Sequence, residues 1–263
     1  KWDGAQWTWF SGDPSVSWKR GVYGTKGVAD VNNTPGSRSG AATWFGSNGE
    51  LILFGGHGYA LDSKDQDPLG DMWKWDGNAW TWIGGTDQGN TISTYDSLEV
   101  FAAKNVPGGR SNASVWQKKP NEIWLFGGSG TQNGETMTWL QDVWVWNGAQ
   151  WKCMEPTELY NPKGYYGIKG VQTSSNTPGG RYSTISWMDE NDQLWLFGGY
   201  GIFKSFGVGN DFWKYDLQPP PKIRVSGNAQ TIANGDSIPS VADHTDFGAQ
   251  LVTGIPEQHR FTI

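Results

Sequence analysis

A metal centre needs several nitrogen, sulfur or oxygen ligands converging on one point, and this 263-residue chain is poor in the softer ones. It has three histidines, His57, His244 and His259, and one cysteine, Cys153. Only His57 lies in the aromatic-rich body of the sequence, and a lone imidazole cannot build a site that wants several nitrogen ligands. Cys153 follows Trp151 in an apolar slot, where a buried small hydrophobe is expected. A single cysteine excludes a disulfide within the chain and any Cys-rich metal site. Oxygen ligands are better represented. Asp62, Asp65 and Asp67 alternate along one short segment, as calcium ligands do in a loop. That segment lacks the glycine and the distal glutamate of an EF-hand, so a solvated loop is the reading set beside calcium. No Gly-rich phosphate loop or nucleophile elbow is present, and no unique cluster of acid, base and nucleophile stands out. The sequence therefore assigns no catalytic residue, no cofactor and no firm metal site.

The remaining chemistry-bearing residues recur. Phe-Gly-Gly occurs at Phe54, Phe126 and Phe197, at steps of 72 and 71 residues. A Pro-Gly-x-Arg element ending at Arg38, Arg110 and Arg181 precedes each. An Asp-x-Trp-x-aromatic element follows each, centred on Trp73, Trp144 and Trp213. Tyr23, Tyr95 and Tyr166 are in register in the linkers. An arginine present three times is expected to be a hydrogen-bond anchor rather than three active sites. Trp73, Trp75, Trp80, Trp144, Trp146 and Trp213 invite a sugar-stacking role, but their fixed positions fit packing between neighbouring repeats. Two sequons, Asn32-Asn33-Thr34 and Asn112-Ala113-Ser114, matter only in a host that glycosylates.

The elements that must hold these residues read as strands. Leu51-Ile52-Leu53-Phe54 and Ile123-Trp124-Leu125-Phe126 are short apolar runs suited to strands buried on both faces. Trp73 and Trp75 alternate with period two and share one face. Asp76-Gly77 and Asn147-Gly148 signal a tight hairpin to a fourth strand, Trp80–Trp82 or Trp151–Cys153. A first strand runs on from each arginine, as in Ser111 to Trp116. The segments from Gly56 to Asp71 and Gly128 to Asp142 read as long loops, and the linkers between repeats are longer still. Long structured loops carry function more often than short turns. One face is thus elaborated, and Tyr23, His57, Tyr95, Tyr166 and Tyr200 are its ligand-face candidates. A packing role for the linker residues is an equal alternative.

Composition agrees. Gly is 38 and Trp 18 of 263, with 17% charged and 14% aromatic residues. That excludes a disordered chain and a helix bundle. A net charge of −6 argues against a nucleic-acid partner. No apolar run approaches the roughly 18 residues that span a bilayer.

Arg, Phe-Gly-Gly, Asp-x-Trp-x-aromatic and Trp in that order resemble a Kelch blade. The linkers with Tyr23-Gly24-Thr25-Lys26-Gly27 and Tyr166-Gly167-Ile168-Lys169-Gly170 resemble those of secreted bacterial Kelch proteins with large blades, distant relations of the galactose oxidase central domain. The fold this implies is all-β: a partial Kelch β-propeller of three four-stranded blades over residues 1–218. A Pro linker, 219–221, leads to residues 222–263, which lack Trp. There Val225-Ser226-Gly227-Asn228, Asn234-Gly235-Asp236 and Thr245-Asp246-Phe247-Gly248 resemble the start of a choice-of-anchor D module, an immunoglobulin-like β-sandwich. Its expected strands include Lys222–Val225, Thr231–Ile232, Phe247 and Arg260–Ile263.

The resemblance implies a non-catalytic adhesion or scaffold module, extracellular or at a bacterial cell surface, with protein or glycan as partner. The alternative is the propeller domain of a carbohydrate-directed enzyme whose active site lies elsewhere. A galactose oxidase-like copper site would need more His ligands than residues 1–218 hold. Three blades fall short of the four to eight of a closed propeller. The expectation is therefore a fragment of a longer chain, completed by further blades of the same chain or by a second copy. Lys1 is not a starting Met, in keeping with a processed or truncated start.

Overall fold

The structure is a computed structural model that describes residues 4–132, 135–157, 161–203, 205–217, 225–227, 230–232 and 261–262. It is all-β among those residues, with antiparallel sheets throughout. The chain divides into two compact units, Lys1–Tyr215 and Asp216–Ile263.

Each repeat of the first unit centres on one sheet. In the first, the strands are β1 (Arg38–Ser39), β2 (Ala42–Phe45), β3 (Leu51–Phe54), β4 (His57–Gly58), β5 (Asp67–Pro68), β6 (Met72–Trp75) and β7 (Trp80–Gly84). The main sheet has the order β2-β3-β6-β7. Its apolar strand β3 lies inside, pairing Phe54 with Ala42 on one side and Met72 on the other. Period two then places Trp44, Ile52, Phe54 and Met72 on one face, and Leu51, Leu53, Trp73 and Trp75 on the other. The second repeat has β8 (Arg110–Ser111), β9 (Ser114–Lys119), β10 (Glu122–Gln132), β11 (Glu135–Trp146) and β12 (Trp151–Glu155). The third has β13 (Arg181–Tyr182), β14 (Ile185–Met188), β15 (Leu194–Phe197), β16 (Tyr200–Ile202), β17 (Phe206–Val208) and β18 (Phe212–Tyr215). Its main sheet runs β14-β15-β18. The turn into the fourth strand is an Asx turn: Asp76 Oδ1 accepts from the Asn78 and Ala79 amides, and Asn147 Oδ1 from those of Ala149 and Gln150.

Two sequence expectations need correction. The first strand does not run on unbroken from the arginine. It breaks at Gly40, Asn112 and Ser183, which sit at φ of 63°, 54° and 53°. The break lets Arg38–Ser39 turn away from β2 and pair with His57–Gly58 instead. The supposed long loops after Phe-Gly-Gly are themselves hairpins. β4 pairs β5, β16 pairs β17, and in the second repeat β10 and β11 continue through bulges into one long ribbon. Backbone polar groups near the arginine are buried, and pairing them in a small second sheet satisfies them.

The sheets stack face to face. The face of the first repeat carrying Trp44, Ile52, Phe54 and Met72 is buried against Ile123, Leu125, Trp144, Trp151 and Cys153 of the second. Trp151 packs edge-on to Trp44 and tilted against Phe54, at 6.3 and 5.4 Å between ring centres. The corresponding face of the second repeat meets the third, where Trp124 lies 5.7 Å from Tyr215 and Trp116 Nε1 donates to the Trp195 carbonyl. Each such side chain stabilises by about 1.5–3 kcal/mol when taken out of water. The breaks line up as well: the Asn112 amide donates to the Gly40 carbonyl, and the Ser183 amide to that of Asn112.

In the second unit, β19 (Val225–Gly227) pairs with β20 (Gln230–Ile232) and with β21 (Phe261–Thr262). The Pro linker 219–221, Lys222–Arg224, Phe247, His244 and His259 lie outside the described residues. Among the described residues no helix is long and apolar enough to cross a membrane.

Candidate functional site

The repeated polar residues converge within each repeat on one carboxylate. Arg38 grips Asp71 through both terminal nitrogens, Nη1 to Oδ1 at 2.6 Å and Nη2 to Oδ2 at 2.8 Å. Tyr23 Oη and Trp73 Nε1 each donate to Asp71 Oδ2 at 2.7 Å. Arg38 Nη1 also reaches the Gly55 carbonyl, tying the guanidinium to the Phe-Gly-Gly turn. The second repeat sets Arg110 on Asp142 the same way, with Trp144 Nε1 at 2.6 Å and Tyr95 Oη at 3.4 Å. There Ser93 Oγ accepts from Arg110 Nη2. The third sets Arg181 on Asp211, with Trp213 Nε1 at 2.6 Å and Tyr166 Oη at 2.8 Å.

Arg110, Asp142 and Arg181 are buried and Arg38, Tyr95, Tyr166, Asp211 and Trp213 half-buried, and the ionisation of these groups reflects it. Burial opposes the charge on Arg110, yet Asp142 beside it holds its pKa above the usual value. Burial likewise opposes the Asp211 charge, but hydrogen bonds from Arg181 and Trp213 keep its pKa below the usual carboxylate value. Burial pushes the Tyr166 phenol up to about 12, with Asp211 adding to the rise. Tyr23 and Tyr95 are raised further for the same reasons. Asp71 accepts two bonds from arginine, one from tyrosine and one from tryptophan. A carboxylate so occupied has no acceptor site left to take a proton from a substrate. Each quartet clamps its linker to its sheet.

Tyr23 is buried and its hydroxyl is engaged with Asp71, so it is not presented to a ligand. Tyr95 stacks on Trp144 at 5.3 Å. Tyr166 leans on Trp213 but also lines a concavity of about 480 Å³ beside Phe206 and Val208. Tyr200 packs among Trp139, Tyr182 and Phe206. His57 is half-buried on β4, opposite Ser39 and Pro68. The five do not form one site. The calcium candidates are not brought together either: no cluster of three His, Cys, Asp or Glu side chains fit for a metal occurs among the described residues. Asp62 and Asp65 are exposed, while Asp67 accepts from Ser63 Oγ and Asn90 Nδ2.

Sequence reasoning named the arginines, the tryptophans and the aspartates that precede the tryptophans, but missed the ion pairs that join arginine to aspartate. It also missed Asn33, Asn105 and Asn176, whose side-chain amides donate to linker carbonyls such as Val28, Ser97 and Val171. The asparagines recur in register with the arginines, whereas the aspartates follow them at 33, 32 and 30 residues.

A site of different character opens where the first linker crosses the β4–β5 hairpin. Trp18, Arg20, Tyr59, Ser63 and Lys64 line a concavity of about 410 Å³. The Ser37 amide donates to the Lys19 carbonyl and the Gly21 amide to that of Tyr59, fixing the linker on the hairpin. Ser63 is occupied, accepting from the Ala60 amide and donating to Asp67. Trp18, by contrast, is 67% exposed, and Arg20 and Lys64 are exposed beside it. An open indole face next to two cationic donors can stack a ring and hydrogen-bond its substituents.

No protein-family model matches the chain, and no curated protein does. Among solved structures, one titled "Structure of YjhT" is similar at 14% identity with a TM-score of 0.29, over 68% of this chain and 81% of that one. At that distance it adds nothing to the description of the fold.

Proposed function

We propose that this chain is a non-catalytic, extracellular adhesion or scaffold module of Kelch β-propeller type, binding a glycan or protein through the side where linkers and hairpins meet. The stacked repeats are read as propeller blades, and the second unit as the start of an immunoglobulin-like anchor module. The location is read as a bacterial surface or exterior. The observation that carries the binding role is the open concavity formed by Trp18, Tyr59, Arg20 and Lys64. Its aromatic faces beside hydrogen-bond donors favour a sugar ring, stacked on one side and bonded at its hydroxyls or carboxylates. The repeated polar residues, in turn, are consumed in structural clamps.

A glycan array probed with the purified chain, with and without calcium, tests this. Binding is expected without calcium, and Trp18→Ala is expected to weaken it at least tenfold. Binding that survives Trp18→Ala and Lys64→Ala unchanged would remove the concavity as the site. Absence of binding to any glycan would leave the protein-ligand form of the proposal, tested by cross-linking from position 18 on the native cell surface.

A further inference from the structure

The stacking of the repeats shows what a sheet face of this kind is built to meet. In the first repeat Trp44, Ile52, Phe54 and Met72 are buried under the second repeat. In the second, Trp116, Trp124, Phe126 and Val143 are buried as well, with the third repeat against them. The equivalent positions of the third repeat hold Trp187, Trp195, Phe197 and Phe212, with Ile185 at the position of Ala42. Here Ile185, Trp187, Phe197 and Phe212 are 63%, 41%, 39% and 55% exposed. Their rings form one plate: Trp187 lies 5.4 Å and Trp195 4.7 Å from Phe212, all near parallel. A continuous exposed apolar plate of this kind marks an interaction surface.

The chain also carries the matching half. The side of the second repeat that covers the first is built on Gln117, Ile123, Leu125, Trp146 and Trp151. The same positions of the first repeat are Phe45, Leu51, Leu53, Trp75 and Trp80. Phe45 is 61% exposed and the other four are half-buried, with Phe10 touching an edge of Trp75. The exposure of both halves shows that they do not meet within one chain. We propose that the aromatic plate of the third repeat docks on the outer face of the first repeat in a second copy of this chain, repeating a contact made twice inside each copy. Such a contact is heterologous, and two copies that close on each other make it twice. The inference rests on the two internal interfaces and stands whether or not the glycan reading does.

Sedimentation equilibrium of the full chain over a range of concentrations tests it. The expected mass is twice 29.0 kDa, or a larger head-to-tail assembly, falling to one chain on dilution. Trp187→Glu and Phe45→Glu, both at exposed side chains, are each expected to give a single-chain mass while keeping a cooperative unfolding transition. Mixing the two variants is expected to restore association, since one keeps the plate and the other keeps the face that receives it. A wild-type chain that stays single at the highest concentration would overturn the proposal. So would a Phe45→Glu variant that still associates, or a mixture that does not.

Discussion

Arg110 and Asp142 show how much rests on single residues. Both side chains are essentially sealed from water, and each is the other's main charge partner. Removing one leaves the other charged and buried, which costs about 3–5 kcal/mol. Asp142→Asn is therefore expected to lower stability by that order, read from denaturant unfolding, and Arg110→Met likewise. The tyrosines give a pH signature. Tyr166 keeps its proton in the fold up to about 12, whereas the unfolded chain loses it near the usual 10.0. Between those values the unfolded state sheds protons first, so stability is whole below pH 10 and falls as pH rises through 12. Tyr23 and Tyr95 act in the same direction. Tyr166→Phe is expected to flatten part of that alkaline slope, measured as the unfolding midpoint against pH. Cys153 is fully buried, and burial pushes its thiol up to about 12. It is expected to resist thiol reagents in the native protein and react fully once unfolded.

At the scale of the element, the sequence was legible where the signal was local. Apolar runs, period-two tryptophans and Asn-Gly or Asp-Gly turns marked the main sheets and their order within a repeat. The side hairpins were not legible, because β1, β4 and β5 are two residues long, too short for a periodic pattern, and are defined by their pairing beside the Arg38–Asp71 clamp. The inward turn of Tyr23 was hidden for the same reason. A tyrosine among Gly, Thr and Lys looks exposed until its acceptor, 48 residues away, is known. The glycine pair has a more specific role than a turn. A Cβ at Gly127, where φ is 63°, would lie 2.7 Å from the Arg181 carbonyl oxygen of the next repeat. Gly127→Ala is expected to cost at least about 2 kcal/mol through that clash and the positive φ. Ser183 makes the opposite case. It holds a φ of 53° without a glycine's freedom, so Ser183→Gly is expected to stabilise by about 1 kcal/mol in thermal or denaturant unfolding.

At the scale of the whole molecule, equivalent residues should differ in worth according to what lies on top of them. Trp44, Trp116 and Trp187 occupy one position in three successive sheets, and the sequence gives no reason to rank them. Trp44 and Trp116 are covered by the following repeat, while Trp187 is half open. Truncating a buried tryptophan loses its transfer free energy and leaves a cavity, about 3–5 kcal/mol together. Trp44→Ala is therefore expected to lower stability by that amount at any protein concentration. Trp187→Ala should cost about 1 kcal/mol or less in dilute solution, where its face is against water. Its cost should grow as concentration rises, because a partner that binds only the folded chain adds stability by mass action. Melting both variants and the wild type over a hundredfold range of concentration separates the two cases. If the Trp187→Ala difference stays flat across that range, the exposed plate contributes nothing to association. If the Trp44→Ala difference also falls below about 1 kcal/mol, the packing between the first two sheets is looser than their geometry indicates.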